Sequence, residues 1–228
     1  MKLYYAISLV VVAAQVSDAL NISFQGGLNG YYTCAKYTFA ADGSSDGHDA
    51  ECAVFSAPLC YPGICEVPDC VNPTVDIFVK RIPAVSDPET ARNVWLVQGG
   101  PVEFCMDDLH SRLNGAVNVY TIDHRGTGPS TLLDCVVAQV GVNEEIDPLK
   151  VPACAQAVQR KYESLLSFSI TSAAMDVATF ISDYTNGTNT IVYSGSYGTA
   201  LVERLMHLNC SEVTGYVLDG IATTSGAP

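Results

Sequence analysis

Three short segments bring together residue types suited to acyl transfer. The run Thr190-Ile191-Val192-Tyr193-Ser194-Gly195-Ser196-Tyr197-Gly198-Thr199 passes from β-branched residues, through a serine with glycine close on both sides, into a helix-forming stretch. A serine at such a bend is forced into a strained backbone conformation that lifts its hydroxyl clear of the sheet. The helix behind it opens with free N–H groups that can receive a developing oxyanion. Gln98-Gly99-Gly100-Pro101 is the second segment. Paired glycines leave backbone N–H groups unobstructed, as an oxyanion hole requires, although an ordinary Gly-Gly-Pro turn has the same composition. Taken with the serine bend, they assign Ser196 as nucleophile and the backbone N–H groups of Gly100 and Tyr197 as oxyanion donors. The third is Asp123-His124-Arg125-Gly126-Thr127-Gly128-Pro129-Ser130. Its glycines suit positive-φ turns, and Asp123 and Arg125 are expected to pin the loop by a partly buried, bidentate ion pair rather than to touch substrate.

The elements that must hold these loops follow from periodicity. Val75 to Ile82 alternates as a half-buried strand does, and Val94 to Val97, Val117 to Ile122, Thr190 to Tyr193 and Tyr216 to Leu218 are short apolar runs. Pro152 to Leu166, Ser172 to Tyr184 and Thr199 to Leu208 carry helical patterns, the second stopped by Asn186-Gly187. Strands alternating with helices predict an α/β fold with a doubly wound, mostly parallel sheet. All three loops fall at carboxyl ends of strands, where such sheets gather function.

Those residues resemble the secreted prolyl- and tripeptidyl-aminopeptidase-like serine peptidases of the α/β-hydrolase superfamily. The family patterns are H-G-G-P-G, D-x-R-G-x-G-x-S and G-G-S-Y-G. Here they stand as Gln98-Gly99-Gly100-Pro101, Asp123 to Ser130 with Leu133-Asp134-Cys135, and Gly195-Ser196-Tyr197-Gly198-Thr199, in matching order over about Val75 to Gly220. The departures are Gln98, Val102, Pro129 and Ser194. The resemblance implies a serine peptidase acting on peptide N-termini through an acyl-enzyme, with no metal or other cofactor. An esterase or lipase on the same fold, and a non-catalytic binding protein retaining the cleft, stay open.

A serine nucleophile needs a base and a group to orient it. The histidines are His48, His110, His124 and His207. His207 lies along the same helix as Ser196, roughly 16 Å away at helical rise. His124 is the only internal substitute at the right edge, where a solvated or loop-packing histidine is the plainer reading. Asp219 ends a strand where an acid could stand, but an Asp-Gly pair more often marks a turn. In chain order the fold places acid and histidine after the serine, and no histidine follows the last strand. The reading is therefore of a partial hydrolase domain over residues 74–228, truncated before its last strands, with the triad acid and histidine not in the chain.

The remaining composition bounds the setting. Across 228 residues the apolar share is 48% and the formal charge −13, which disfavours disorder, nucleic acid and anionic lipid. Residues 1–19 read as a cleavable signal peptide, too short to span a bilayer, so the mature chain is expected to be secreted. Nine cysteines suit an oxidising compartment. Five of them lie in residues 20–73, read as an irregular, disulfide-rich lead-in. The Cys60, Cys65, Cys70 spacing lacks the pair a zinc site needs. Cys135 and Cys154 flank the same edge and are the expected disulfide. Asn21, Asn186 and Asn209 head glycosylation sequons. Oligomeric state is left open by the sequence.

Overall fold

In the computed structural model the described residues are 27–36, 50–97, 99, 103–135, 139–140 and 145–222, with side chains undescribed at 103–105, 139–140 and 145–146. Residues 1–19, read above as a signal peptide, and Asn21 lie outside them. Among the described residues nine strands and four α-helices follow one another as β1 (Tyr32–Cys34), β2 (Ala50–Pro58), β3 (Thr74–Ile82), β4 (Arg92–Val97), α1 (Glu103–Arg112), β5 (Val117–Ile122), β6 (Gln139–Val140), β7 (Glu145–Ile146), α2 (Val151–Tyr162), α3 (Ile170–Tyr184), β8 (Thr190–Gly195), α4 (Gly198–Leu208) and β9 (Val213–Asp219). Seven strands form one sheet in the order β1-β2-β3-β5-β4-β8-β9, and β6 pairs with β7 apart from it. The four strands β5, β4, β8 and β9 are parallel, and β1, β2 and β3 join antiparallel at one side. This is a mixed α/β sheet with its parallel strands contiguous.

Alternation along the strands decides which helices lie on which face. Trp95 and Val97 of β4, Tyr120 and Ile122 of β5 and Val192 of β8 are buried in one cluster with Val177, Phe180 and Ile181 of α3 and Leu201 and Leu205 of α4. Leu96 and Val119, one residue out of phase, join Met106 of α1 in a smaller cluster on the other face. Trp95 stacks on Tyr120 with ring centroids 5.1 Å apart, closing the larger core at its centre.

The lead-in differs from its sequence reading. β2 is a nine-residue strand paired along most of its length with β3, and Phe55, Ala57 and Leu59 are buried in the main core. Alanine and cysteine at the inward positions hide the alternation that Val and Ile would have displayed. The disulfides Cys34–Cys52 and Cys60–Cys65 tie this part down, and Cys135 and Cys154 are bonded, with Cα atoms 5.6 Å apart. The Cys60–Cys65 bond removes two thiolates that zinc would have needed.

Candidate active site

The chain order sets where a site can form. From β4 the chain crosses through α1 to β5 on one side, then returns through α3 to β8 on the other side of β4. The crossover direction reverses between β4 and β8, the kind of switch point beyond whose strand ends such sheets bind ligands. Val97 is paired with both Ser194 and Ile122, so the loops after β4, β5 and β8 leave the sheet side by side.

Ser196 stands at the tip of the β8–α4 turn with φ +52, a left-handed conformation that costs a non-glycine residue about 1–2 kcal/mol. Its side chain is exposed. The turn is held from below. The Ser196 N–H donates to the Asp219 carbonyl at 3.0 Å, and the Ser196 carbonyl accepts from the Thr199 N–H at 3.0 Å and its hydroxyl at 2.6 Å. Ser194, which replaces the first glycine of the family pattern, is fully buried and donates its hydroxyl to the Val97 carbonyl at 2.9 Å. That bond satisfies the extra polar group.

Gly99 shows how closely the two loops meet. A Cβ there would fall 2.8 Å from the Tyr197 nitrogen and 2.7 Å from that of Gly198, and closer still to the Gly195 carbonyl oxygen. Only glycine permits this approach. Among the described residues no backbone acceptor takes the Tyr197 N–H, the first of the two assigned oxyanion donors. Gly100, the second, lies outside the described residues.

The expected Asp123–Arg125 pair is corrected. Arg125 turns inward and commits all five N–H donors elsewhere: Nε and Nη2 to the Asp176 carboxylate at 2.7 and 2.6 Å, and the others to the carbonyls of Pro58, Leu59 and Ser167. Asp123 instead lies under the turn at Gly128, whose φ is +55 and whose added Cβ would meet the Asp123 carboxyl carbon at 2.7 Å. Tyr61 also donates to Asp176, at 2.7 Å. Burial pushes the Asp176 carboxyl above its ordinary range, opposed by the Arg125 hydrogen bonds and charge. Burial likewise raises the Tyr61 hydroxyl, and the Asp176 charge adds to it. The loop is thus fastened at Arg125 to α3, to the end of β2 and to the Leu165–Phe168 turn. Ser130 adds a second fastening, accepting from the Phe78 N–H at 2.8 Å and donating to the Asp123 carbonyl at 2.6 Å.

His124, between these anchors, is half-buried, and its ring centroid lies 6.4 Å from that of Tyr197, the neighbour of Ser196. His110 sits at the far edge against the Pro83 carbonyl, and His207 is exposed in the last turn of α4. His48 lies outside the described residues. Asp219 serves the turn through its backbone, while its carboxylate accepts from the Tyr193 hydroxyl at 3.2 Å. Among the described residues no group of three His, Cys, Asp or Glu side chains is placed to hold a metal ion.

The two remaining sequon asparagines differ. Asn186 spends both Nδ2 hydrogens, on the Pro88 and Ala91 carbonyls at 3.0 and 2.8 Å, and its Oδ1 accepts from Asn93. Asn209 is exposed at the left-handed C-cap of α4.

No family model matches the chain, and no curated protein matches it. Among solved structures, it is similar to a cold-adapted esterase from an Arctic intertidal metagenomic library (18% identity, TM-score 0.40, 75% of this chain and 60% of that one). It is also similar to acetyl xylan esterase 1 from Thermoanaerobacterium sp. JW/SL YS485 (15% identity, TM-score 0.45, 85% of this chain and 52% of that one). A third is an epoxide hydrolase of Aspergillus niger (11% identity, TM-score 0.42, 75% of this chain and 35% of that one). The chain spans between about a third and three fifths of the length of these structures.

Proposed function

We propose that this chain carries the nucleophile and oxyanion hole of a secreted serine hydrolase of the aminopeptidase type, acting on peptide N-termini. The observation that carries the reading is the strained, exposed Ser196 with Gly99 wedged against the start of α4. In that geometry the Ser196 oxygen adds to a carbonyl carbon while its proton passes to a base. The Tyr197 and Gly100 N–H groups receive the resulting oxyanion. Collapse breaks the C–N bond, the leaving amine takes the proton, and water later releases the acyl group by the reverse sequence. Of the histidines in the described residues, His124 is the one at this edge, and it is proposed as the internal base when no other is supplied. Asp123 and Arg125 are loop supports in this reading. The three disulfides favour an oxidising compartment.

An esterase would use the same turn and hole, so the substrate must be tested directly. A fluorophosphonate probe is expected to label the chain slowly and at Ser196, with labelling lost in Ser196→Ala; labelling that persists in that variant refutes the nucleophile. Faster turnover of aminoacyl amides than of short-chain esters supports the peptidase, and the opposite ranking supports the esterase.

A further inference from the structure

We propose that the groove along the C-terminal half of α3 is a docking site for a peptide that carries an apolar side chain next to basic ones. It does not rest on Ser196. The groove begins as a cavity of about 560 Å³ between α3 and the 58–73 turn, walled by Phe55, Tyr61, Val67 and Tyr184. A second hollow of about 370 Å³ is bordered by Asn209, Cys210 and Glu212. Thr179 and Asp183 border both, so the two hollows lie on either side of these residues. The cavity accommodates one aromatic or aliphatic side chain, and the cations that follow it lie over Glu66 and Asp183 at its rim, leaving the hollow beside Asn209 unoccupied.

Charge decides the class of occupant. Glu66 and Asp183 border the apolar cavity, Asp183 and Glu212 the second hollow, and among the described residues no lysine, arginine or histidine lines either. The Tyr184 hydroxyl is raised by burial and by the Asp183 charge, so the negative field reaches the aromatic wall. Hydrogen bonding from the Cys210 thiol holds the Glu212 carboxyl below its ordinary range, keeping it charged. An apolar chamber with carboxylates at its rim complements an aromatic or aliphatic residue followed by cations. The site is separate from the candidate active site. Tyr184 precedes β8 and Ser196 follows it, and six strand residues extend roughly 20 Å.

The test is fluorescence anisotropy of the whole chain with three labelled peptides, acetyl-Phe-Lys-Lys-amide, acetyl-Phe-Gln-Gln-amide and acetyl-Gly-Lys-Lys-amide. The first is expected to bind at least about tenfold more tightly than either control. The exposed double substitution Glu66→Gln with Asp183→Asn should remove its advantage over the glutamine peptide. Val67→Trp, which fills the cavity, should remove its advantage over the glycine peptide. Ser196→Ala should bind all three unchanged, and a loss there would place the peptide at the elbow and overturn the proposal. Equal binding of the phenylalanine and glycine dilysine peptides would overturn it too, because net charge alone would then suffice. So would 4-phenylbutylamine binding as tightly as the peptide, which would make this a small-amine site.

Discussion

Arg125 in the loop after β5 and Asp176 in α3 form a bidentate ion pair with side chains only 0% and 2% exposed. The pair joins the edge that presents Ser196 and His124 to the helix packed beneath it, and Tyr61 brings the disulfide-tied 58–65 turn to the same carboxylate. Neither charge can reach water, so removing one partner strands the other. Arg125→Leu is expected to cost about 3–5 kcal/mol in urea unfolding, and Asp176→Leu a similar amount. The double variant should cost clearly less than the two single losses combined. Additive losses would show that the pair is not coupled.

Ser196 and Gly99 predict opposite responses to small substitutions. Ser196 is in the left-handed region, so Ser196→Gly should be more stable than Ser196→Ala by about 1 kcal/mol although both remove the proposed nucleophile. Gly99→Ala places a methyl against the backbone nitrogens of Tyr197 and Gly198, which cannot step aside without moving the turn. It should lower Tm and slow fluorophosphonate labelling together. Thermal melts of the three variants, with labelling of the Gly99 variant, decide both points; a Gly99→Ala protein that labels normally would separate this loop from the hole.

Much of this was legible because the parallel strands are short apolar runs between glycine-rich loops, and Val117–Ile122 emerges with the boundaries its composition suggests. α1 was not. Its Glu103-Phe-Cys-Met-Asp-Asp-Leu-His-Ser-Arg sequence has few apolar residues and follows a Gly-Gly-Pro turn, so it lacks the stripe that marks a core-facing helix. Asp176 was also missed, though a signal existed. It falls on the face of α3 that carries Ala173, Val177 and Phe180, and a lone acid within a buried stripe needs a cation. The choice between Asp123 and Asp176 as the partner of Arg125 depends on which way the loop residue points, and spacing along the chain does not carry that.

Asn186 and Asn209 should differ in glycan occupancy on expression through a secretory route. A glycan on Nδ2 of Asn186 would displace at least one of its two backbone acceptors and loosen the join between the 88–91 turn and the loop before β8. Mass spectrometry is expected to find sugar at Asn209 and none at Asn186 in the folded protein. Asn186→Gln should destabilise by about 1–2 kcal/mol through the hydrogen bonds lost. A natively folded protein glycosylated at Asn186 would contradict this placement.

Cys210 and Glu212 give a pH dependence whose sign differs at its two ends. Burial, and the hydrogen bond its thiol donates to Glu212 at 3.2 Å, raise the Cys210 thiol above its ordinary range. The same bond lowers Glu212. The thiol's contribution is therefore complete below its unfolded pKa and lost as pH rises through the higher folded value. The carboxylate's contribution is present above the ordinary glutamate range and lost as pH falls through the depressed folded value. At mildly alkaline pH, Cys210 should react with iodoacetamide more slowly than the exposed Cys70, because less of it is thiolate. Glu212→Gln removes a charge that disfavours the thiolate, so it should speed alkylation of Cys210 and leave Cys70 unchanged. Peptide mapping of the alkylated protein reads both rates; an unchanged Cys210 rate in Glu212→Gln would show that burial alone sets this thiol.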